Sequence, residues 1–303
     1  MPMKSFTIIS SFDGLTLAGA LCEPQGEARG LFQIVHGMAE HKERYYPFME
    51  FLAQHGYAAV IADIRGHGES VKDAKDLGYM YKGGWRAMVE DVKAVRDWAA
   101  AQYPGVPLTL FGHSMGSMVV RSFAKRYDAL IDRLIVCGSP SDNPAKGAGA
   151  ALASIIAAVC GGHHRSALLN AMSFGAYNKP FAAEGEFAWL SRNRANAEAY
   201  IADPLCGYCF TANGFRGLMG VMKDCYSAKG WAVAKPQMPV LFISGGDDPC
   251  RTDDKAFARA VDFFRQRGYA NVSSKLYQGL RHEILLETEA PMIFEDILSF
   301  CQL

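Results

Sequence analysis

Residues 108–127 constrain the fold more tightly than any other stretch of the chain. A short apolar run, Leu108-Thr-Leu-Phe111, passes through Gly112-His-Ser-Met-Gly116 into a segment of helical spacing that ends near Tyr127. A serine at the apex of a strand-to-helix turn, flanked by glycines two positions away on either side, is the G-x-S-x-G arrangement. The glycines answer to geometry. The serine takes a strained backbone conformation, and side chains at 112 and 116 would collide with the neighbouring strand and helix. The Ser114 hydroxyl is thereby set at the C-terminal edge of a sheet, above a helix N-terminus whose dipole favours a developing negative charge. The stretch predicts an α/β fold with Ser114 as a nucleophile.

The flanking sequence repeats this rhythm. Residues 5–10 and 15–22 alternate around Asp13-Gly14 and read as an antiparallel hairpin. Leu31–Val35 reads as a buried strand, 44–55 as a helix ending at Gly56, and Tyr57–Ala62 as another strand. The loop Asp63-Ile-Arg-Gly-His-Gly-Glu-Ser70 follows, with Asp63 and Arg65 expected to pair. Residues 84–102 have helical spacing, and Leu130–Cys137 reads as a strand. Strands alternating with helices imply a mostly parallel central sheet covered on both faces. Alternation stops between 141 and 230 and resumes with the strand Val240–Ser244, a helix at 252–267, a strand at 271–277 and a last helix from about Ile284 to Cys301. The expected organisation is a core in two parts, 1–140 and 231–303, with a helical lid inserted at 141–230, on the sheet edge where the serine lies.

A serine hydroxyl needs an imidazole base, and the imidazole needs an acid on its far nitrogen. In chain order serine, acid, histidine, the acid and base belong on loops after later strands. Strand 240–244 is followed by Gly245-Gly-Asp-Asp-Pro249, and strand 271–277 by Gly279-Leu-Arg-His282. His282 is the expected base, and the acid is Asp247 or Asp248. Two backbone N–H groups must face the oxyanion. One is expected from Met115, after the nucleophile, and one from Met38, where Gly37 lets the chain turn close to a substrate.

His36-Gly-Met-Ala-Glu-His41, Asp63–Ser70, Gly112–Ser117 and Asp248-Pro249 together resemble the monoacylglycerol lipase and lysophospholipase branch of the α/β-hydrolases, also labelled serine aminopeptidase-like. The resemblance covers roughly residues 5–140 and 235–302. It implies an α/β-hydrolase fold, a triad of Ser114, Asp248 and His282, and oxyanion donors at Met38 and Met115. It also implies substrate-facing polar groups near Glu40 and Arg44, with His113 beside them in the elbow. The expected reaction is cleavage of a carboxylic ester with an aliphatic acyl chain through an acyl-enzyme, with no metal or organic cofactor.

Composition narrows the partners. The 31 basic and 31 acidic residues among 303 cancel, so no electrostatic footprint for nucleic acid is present. The first residues lack a signal-peptide core, no apolar run reaches membrane-spanning length, and eight scattered cysteines suit reduced thiols, so a cytoplasmic location is expected. Eighteen Phe and 13 Met favour an apolar ester or lipid substrate. The apolar stretch Ala150–Cys160 is either packing within the lid or the wall of an acyl tunnel, in transient contact with a membrane or micelle. Cys206-Gly-Tyr-Cys209 has no second pair to complete a metal site, and Cys160-Gly-Gly-His-His164, which has metal-ligating residue types, reads as a lid turn with two solvated histidines. The rival readings are a peptidase on the same triad, whose amine anchors would be Glu184, Glu186 or Glu198, an acyltransferase, and a non-catalytic receptor.

Overall fold

A computed structural model describes residues 1–302. Its centre is an eight-stranded sheet in the order β1-β2-β4-β3-β5-β6-β7-β8. The strands are β1 (Met3–Ile9), β2 (Thr16–Cys22), β3 (Gly30–Val35), β4 (Tyr57–Ala62), β5 (Leu108–His113), β6 (Arg133–Cys137), β7 (Val240–Gly245) and β8 (Val272–Tyr277). The expected hairpin is β1 and β2, in register from Met3 opposite Cys22 to Ile9 opposite Thr16. β2 also runs antiparallel to β4, and every later pairing is parallel. β3 and β5 are buried along their whole length. Such strands lie between two helical layers, so their sequences read as unbroken apolar runs.

One layer holds α1 (Tyr46–Gln54) and α9 (Ala290–Cys301), packed on Phe32, Ile34, Ile61, Phe111 and Ile135. On the opposite face lie α2 (Trp85–Gln102), α3 (Met115–Tyr127) and α8 (Asp254–Gln266), packed on Leu31, Val35, Leu110, Leu134 and Phe242. Alternate residues of one strand thus serve opposite cores. Two helices begin later than their apolar spacing suggests. Lys42–Tyr45 and Ile284–Leu286 are 3₁₀ turns, and α1 and α9 start where Pro47 and Pro291 enter their first turns. Proline lacks the N–H that a continuous helix would require and has a φ suited to a helix start. The strand expected from Leu130 begins at Arg133, after a 3₁₀ turn at Asp128–Leu130.

Between β6 and β7 lie α4 (Lys146–Cys160), α5 (Ala167–Phe174), α6 (Arg194–Ala202) and α7 (Ala212–Cys225). This insertion has no separate large core. Ala153, Leu169, Phe215, Leu218 and Val221 belong to the same apolar cluster as α2 and α3. α7 carries its apolar residues on one face, which is why it seats against α3, while α4 lies across α7.

The expected Asp63–Arg65 pair does not form. Asp63 accepts from the Lys42 ammonium at 2.9 Å and from the backbone N–H groups of Lys42 and Glu69. Arg65, fully buried, donates to Asp91 at 2.7 Å and Asp13 at 2.9 Å, and to the Met80 and Lys82 carbonyls. A guanidinium in the core needs several acceptors at once, and one carboxylate two residues away cannot supply them. Removing one of these partners leaves a buried charge undercompensated. Asp91→Ala is therefore expected to lower unfolding free energy by about 3 kcal/mol in urea titration; a loss below about 1 kcal/mol would contradict this account.

Candidate active site

Ser114 sits between β5 and α3 with φ 53° and ψ −118°, a conformation L-residues avoid. Its N–H donates to the Cys137 carbonyl at 2.9 Å, and its carbonyl accepts from the Ser117 N–H and hydroxyl. The flanking glycines are required by contact. A Cβ on Gly116 would fall on the Val35 and His36 carbonyl oxygens, and one on Gly112 would meet the Gly116 carbonyl. The helix can therefore approach β3 closely enough to hold the serine upright.

His282 and Asp248 arrive from the loops after β8 and β7. The Ser114 hydroxyl lies 2.8 Å from His282 Nε2, and His282 Nδ1 is 3.0 Å from both Asp248 carboxylate oxygens. A carboxylate only accepts, so Nδ1 carries the proton and Nε2 is left to accept from serine. Asp248 is itself held by the Ser244 hydroxyl at 2.9 Å and the Cys250 N–H at 2.8 Å. Asp247, the other candidate acid, is exposed. Burial pushes the Asp248 pKa up, but the imidazole, the Cys250 N–H and the Ser244 hydroxyl outweigh it, and the group stays below its ordinary value. Burial pushes His282 down, yet the Asp248 charge prevails and holds it above the usual 6.5.

Met115 opens α3, where the first N–H groups have no carbonyl partner within the helix. Met38 follows Gly37, and both methionines border the same cavity as Ser114 and His282. His36 fixes this loop from beneath. Its Nε2 accepts from the Ile64 N–H and its Nδ1 donates to the Gly37 carbonyl, each at 2.8 Å. That pattern needs a neutral ring, in keeping with burial that lowers its pKa to about 4.

The three residues expected to face substrate are engaged with one another. Arg44 donates to Glu40 at 2.8 Å, to both oxygens of Glu283 at 2.6 and 2.8 Å, and to Asn196. Glu40 also accepts from the Tyr45 hydroxyl and the Gly37 N–H. His113 lies 3.3 Å from Glu40 and 3.2 Å from the His282 carbonyl oxygen. Glu40 and His113 border the main cavity, whereas Arg44 lines only a narrow void behind its wall.

The main cavity has a volume of about 350 Å³ and reaches from Ser114 into the insertion, past Leu169, Phe174, Trp189, Leu218 and Met222. Several of its residues escape sequence reading. Trp189 lies 5.0 Å from the His282 ring between centroids, and Cys250 Sγ is 3.9 Å from His282 Nε2. Neither position belongs to a periodic pattern or a motif. Among the described residues, two groups of side chains have ligand atoms close enough for a metal: Asp248, Cys250 and His282, and His41, Asp203 and Cys206. The first contains the imidazole and carboxylate hydrogen-bonded in series to Ser114. In the second, burial opposes charge on His41, but Cys206, Glu43 and Asp203 push its pKa up to about 11. As a protonated ring, His41 is an ion-pair partner of Glu43 and Asp203.

A family model described as serine aminopeptidase, S33, matches residues 26–289. The chain belongs to this S33 family. It is similar to a monoacylglycerol lipase from Mycolicibacterium smegmatis, 25% identical over 95% of this chain and 93% of that protein. It is also similar to the human monoglyceride lipase, 23% identical over 98% and 89%. A carboxyl esterase from Bacillus coagulans, solved in complex with glycerol, superposes with a TM-score of 0.91 at 23% identity, covering 100% of this chain and 98% of that one. At that identity the likeness carries the fold, which is the α/β-hydrolase fold. The S33 chain falls in the monoacylglycerol lipase and lysophospholipase-like branch of these hydrolases.

Read as the base, His282 works only while its Nε2 is unprotonated. As pH falls through the raised His282 pKa, the imidazole becomes charged and can no longer take the serine proton. The acidic limb of kcat/KM is therefore expected to have its midpoint above pH 6.5. Asp248→Asn removes the charge that raises the pKa. It is expected to move the limb to lower pH and to reduce kcat by roughly ten-thousand-fold. A limb that stays in place would contradict the assigned pairing.

Proposed function

We propose that this chain hydrolyses neutral carboxylic esters with an aliphatic acyl chain, of the monoacylglycerol type, through an acyl-enzyme on Ser114. The observation that carries the reading is the Ser114–His282–Asp248 hydrogen-bonded series at the floor of an apolar cavity. Ser114 attacks the ester carbonyl while His282 takes its proton and Asp248 steadies the imidazolium. The Met38 and Met115 N–H groups receive the oxyanion. The alcohol leaves with the proton from His282, and water repeats the cycle on the acyl group.

The charges at the cavity favour a neutral leaving group over a phosphate. Glu40, Glu186 and Glu283 border it, and among the described residues no Lys or Arg does. Arg44, the nearest guanidinium, is committed to two carboxylates. A phosphate-bearing lysophospholipid would meet net negative charge without a cationic partner. The peptidase reading rests on the family's description and on Glu186, which borders the cavity, because Glu184 pairs with Arg281 and Glu198 with Arg194. The intact acid–base–serine series speaks against a non-catalytic receptor.

The insertion has the features of a lid that meets lipid. Apart from Lys146, α4 is uncharged, and α5 has no charge at all. Ile155, Val159, Leu168 and Met172 are 56–80% exposed, and Met172 also borders the cavity. No helix among the described residues is long and apolar enough to cross a membrane, so any such contact lies at the surface.

Hydrolysis of p-nitrophenyl esters of increasing chain length, then of monoacylglycerol, lysophosphatidate and an aminoacyl-nitroanilide, tests the reading. Activity is expected on medium or long acyl chains, strongest with monoacylglycerol and lost in Ser114→Ala. Activity on the anilide alone would move the chain to peptidases, and esterase activity surviving in Ser114→Ala would overturn the mechanism. Ile155→Glu with Val159→Glu is expected to reduce turnover of vesicle-borne monoacylglycerol by about tenfold or more while sparing short soluble esters. Equal loss on both would contradict a surface-contact role.

A further inference from the structure

The loop that carries His282 is held by the insertion at both of its ends. On the C-terminal side stands Glu287, only 4% exposed. Its carboxylate accepts from the Ser191 hydroxyl at 2.8 Å and from the backbone N–H groups of Arg192, Asn193 and Arg281 at 3.0 to 3.2 Å. Three of those four donors belong to the insertion and one to the residue before His282. Directly after the base, the Glu283 N–H donates to the Leu190 carbonyl at 2.7 Å. The Glu283 carboxylate accepts from Arg44 and from the Asn196 side chain, the latter at 2.7 Å. Before the base, the Arg281 guanidinium donates to the Ala188 carbonyl at 2.7 Å. Trp189 lies within this clasp, against the imidazole.

Neither 188–193 nor 278–283 lies in a helix or strand, so no ladder of its own orders either segment. A buried carboxylate that accepts from the backbone of both fixes one against the other, because each unmet donor or acceptor would carry a desolvation penalty. Rate depends steeply on where the base stands: a displacement of about 1 Å can lower it a hundredfold. We propose that Glu283 and Glu287 are positioning residues for His282, and that residues 188–196 of the insertion form part of the seat of the base. The proposal rests on the reading of His282 as the catalytic base. The insertion then has two roles, which meet at Trp189 and Leu190, since both also border the cavity. α4, α5 and α7 shape the acyl cavity, and 188–196 holds the histidine.

Glu283 has an electrostatic role as well. The groups around His282 are Asp248 and Cys250 after β7, with Tyr177 of the insertion beside Cys250; Ser114 and His113 at the end of β5; Glu40 after β3; and Glu283 itself. Of these, the carboxylates favour the imidazolium.

The test uses a short soluble p-nitrophenyl ester, which makes little use of the acyl cavity. Glu287→Gln presents an amide N–H₂ to donors in place of an oxygen, and is expected to lower kcat by about ten- to a hundredfold with KM within about twofold. Glu283→Gln is expected to lower kcat and also to shift the acidic limb to lower pH, a change that lost packing alone would not produce. Glu287→Asp, which keeps the charge, should recover part of the rate. A second readout needs no substrate: the downfield proton resonance of His282 Nδ1–H. It should be present in the wild type, absent in Asp248→Ala, and broadened in Glu287→Gln. A folded Glu287→Gln with wild-type kcat and an unchanged resonance would overturn the proposal. Should Glu287→Gln fail to fold, Ser191→Ala and Asn196→Ala each remove one side chain of the same clasp and leave both carboxylates in place; wild-type kcat and resonance in both would overturn it equally. If no ester is turned over by the wild type, the functional reading fails, and the resonance alone still decides whether the insertion seats the histidine.

Discussion

The close approach of α3 to β3 is the constraint on which the site depends. With no side chain at Gly112 or Gly116, the helix start rests against the Val35 and His36 carbonyls. Ser114 is then held at φ 53° on the sheet's edge. A residue in that region of backbone space carries about 1–3 kcal/mol of strain, which the surrounding packing must offset. Strands β3 and β6, buried along all or nearly all of their length, supply that packing on either side of β5. Parallel strands deliver their C-terminal loops to one edge, so Met38, Ser114, Asp248 and His282 converge although 244 residues separate the first from the last.

Charge is distributed around this point with a consistent logic. Asp248 and His282 are buried together, and each is the other's main favourable partner. Beneath the Gly37-Met38 loop, His36 is kept neutral by burial, so that one ring nitrogen can accept a backbone N–H. Arg44 sits between Glu40 and Glu283 and joins the loop after β3 to the loop that carries His282. In water such a pair contributes little, but out of water an unpaired member would be strongly destabilising. The network ties the loops around Ser114 and His282 to one another.

What the sequence makes legible follows from the range of the interactions. The elbow, the Asp after β7 and the His after β8 are local motifs tied to strand ends, and strand ends are visible in apolar runs. The hairpin around Asp13-Gly14 is legible for the same reason. Pro47 and Pro291 are local too, and the helix starts they impose could have been read more closely. By contrast, Arg65 meets Asp13 and Asp91, at separations of 52 and 26 residues, so the nearer Asp63 was the natural but mistaken partner. The insertion is the least legible part. Asn196 and Ser191 act on Glu283 and Glu287 across 87 and 96 residues, and no periodicity announces those contacts. Glu40, Arg44 and His113 were recognisable as polar groups near the site. That Glu40 joins Arg44 to His113, and that Arg44 spends two further bonds on Glu283, is not legible, because no motif marks Glu283.

The central claim is that Ser114 carries the acyl group between the two halves of the reaction. Acid-quenching the enzyme during turnover of a medium-chain p-nitrophenyl ester, followed by peptide mapping by mass spectrometry, tests it directly. The account predicts a mass increase equal to the acyl group, on the peptide containing Ser114 and assigned to that residue. Acylation located instead on the nearby Cys250, with Ser114 unmodified, would contradict it.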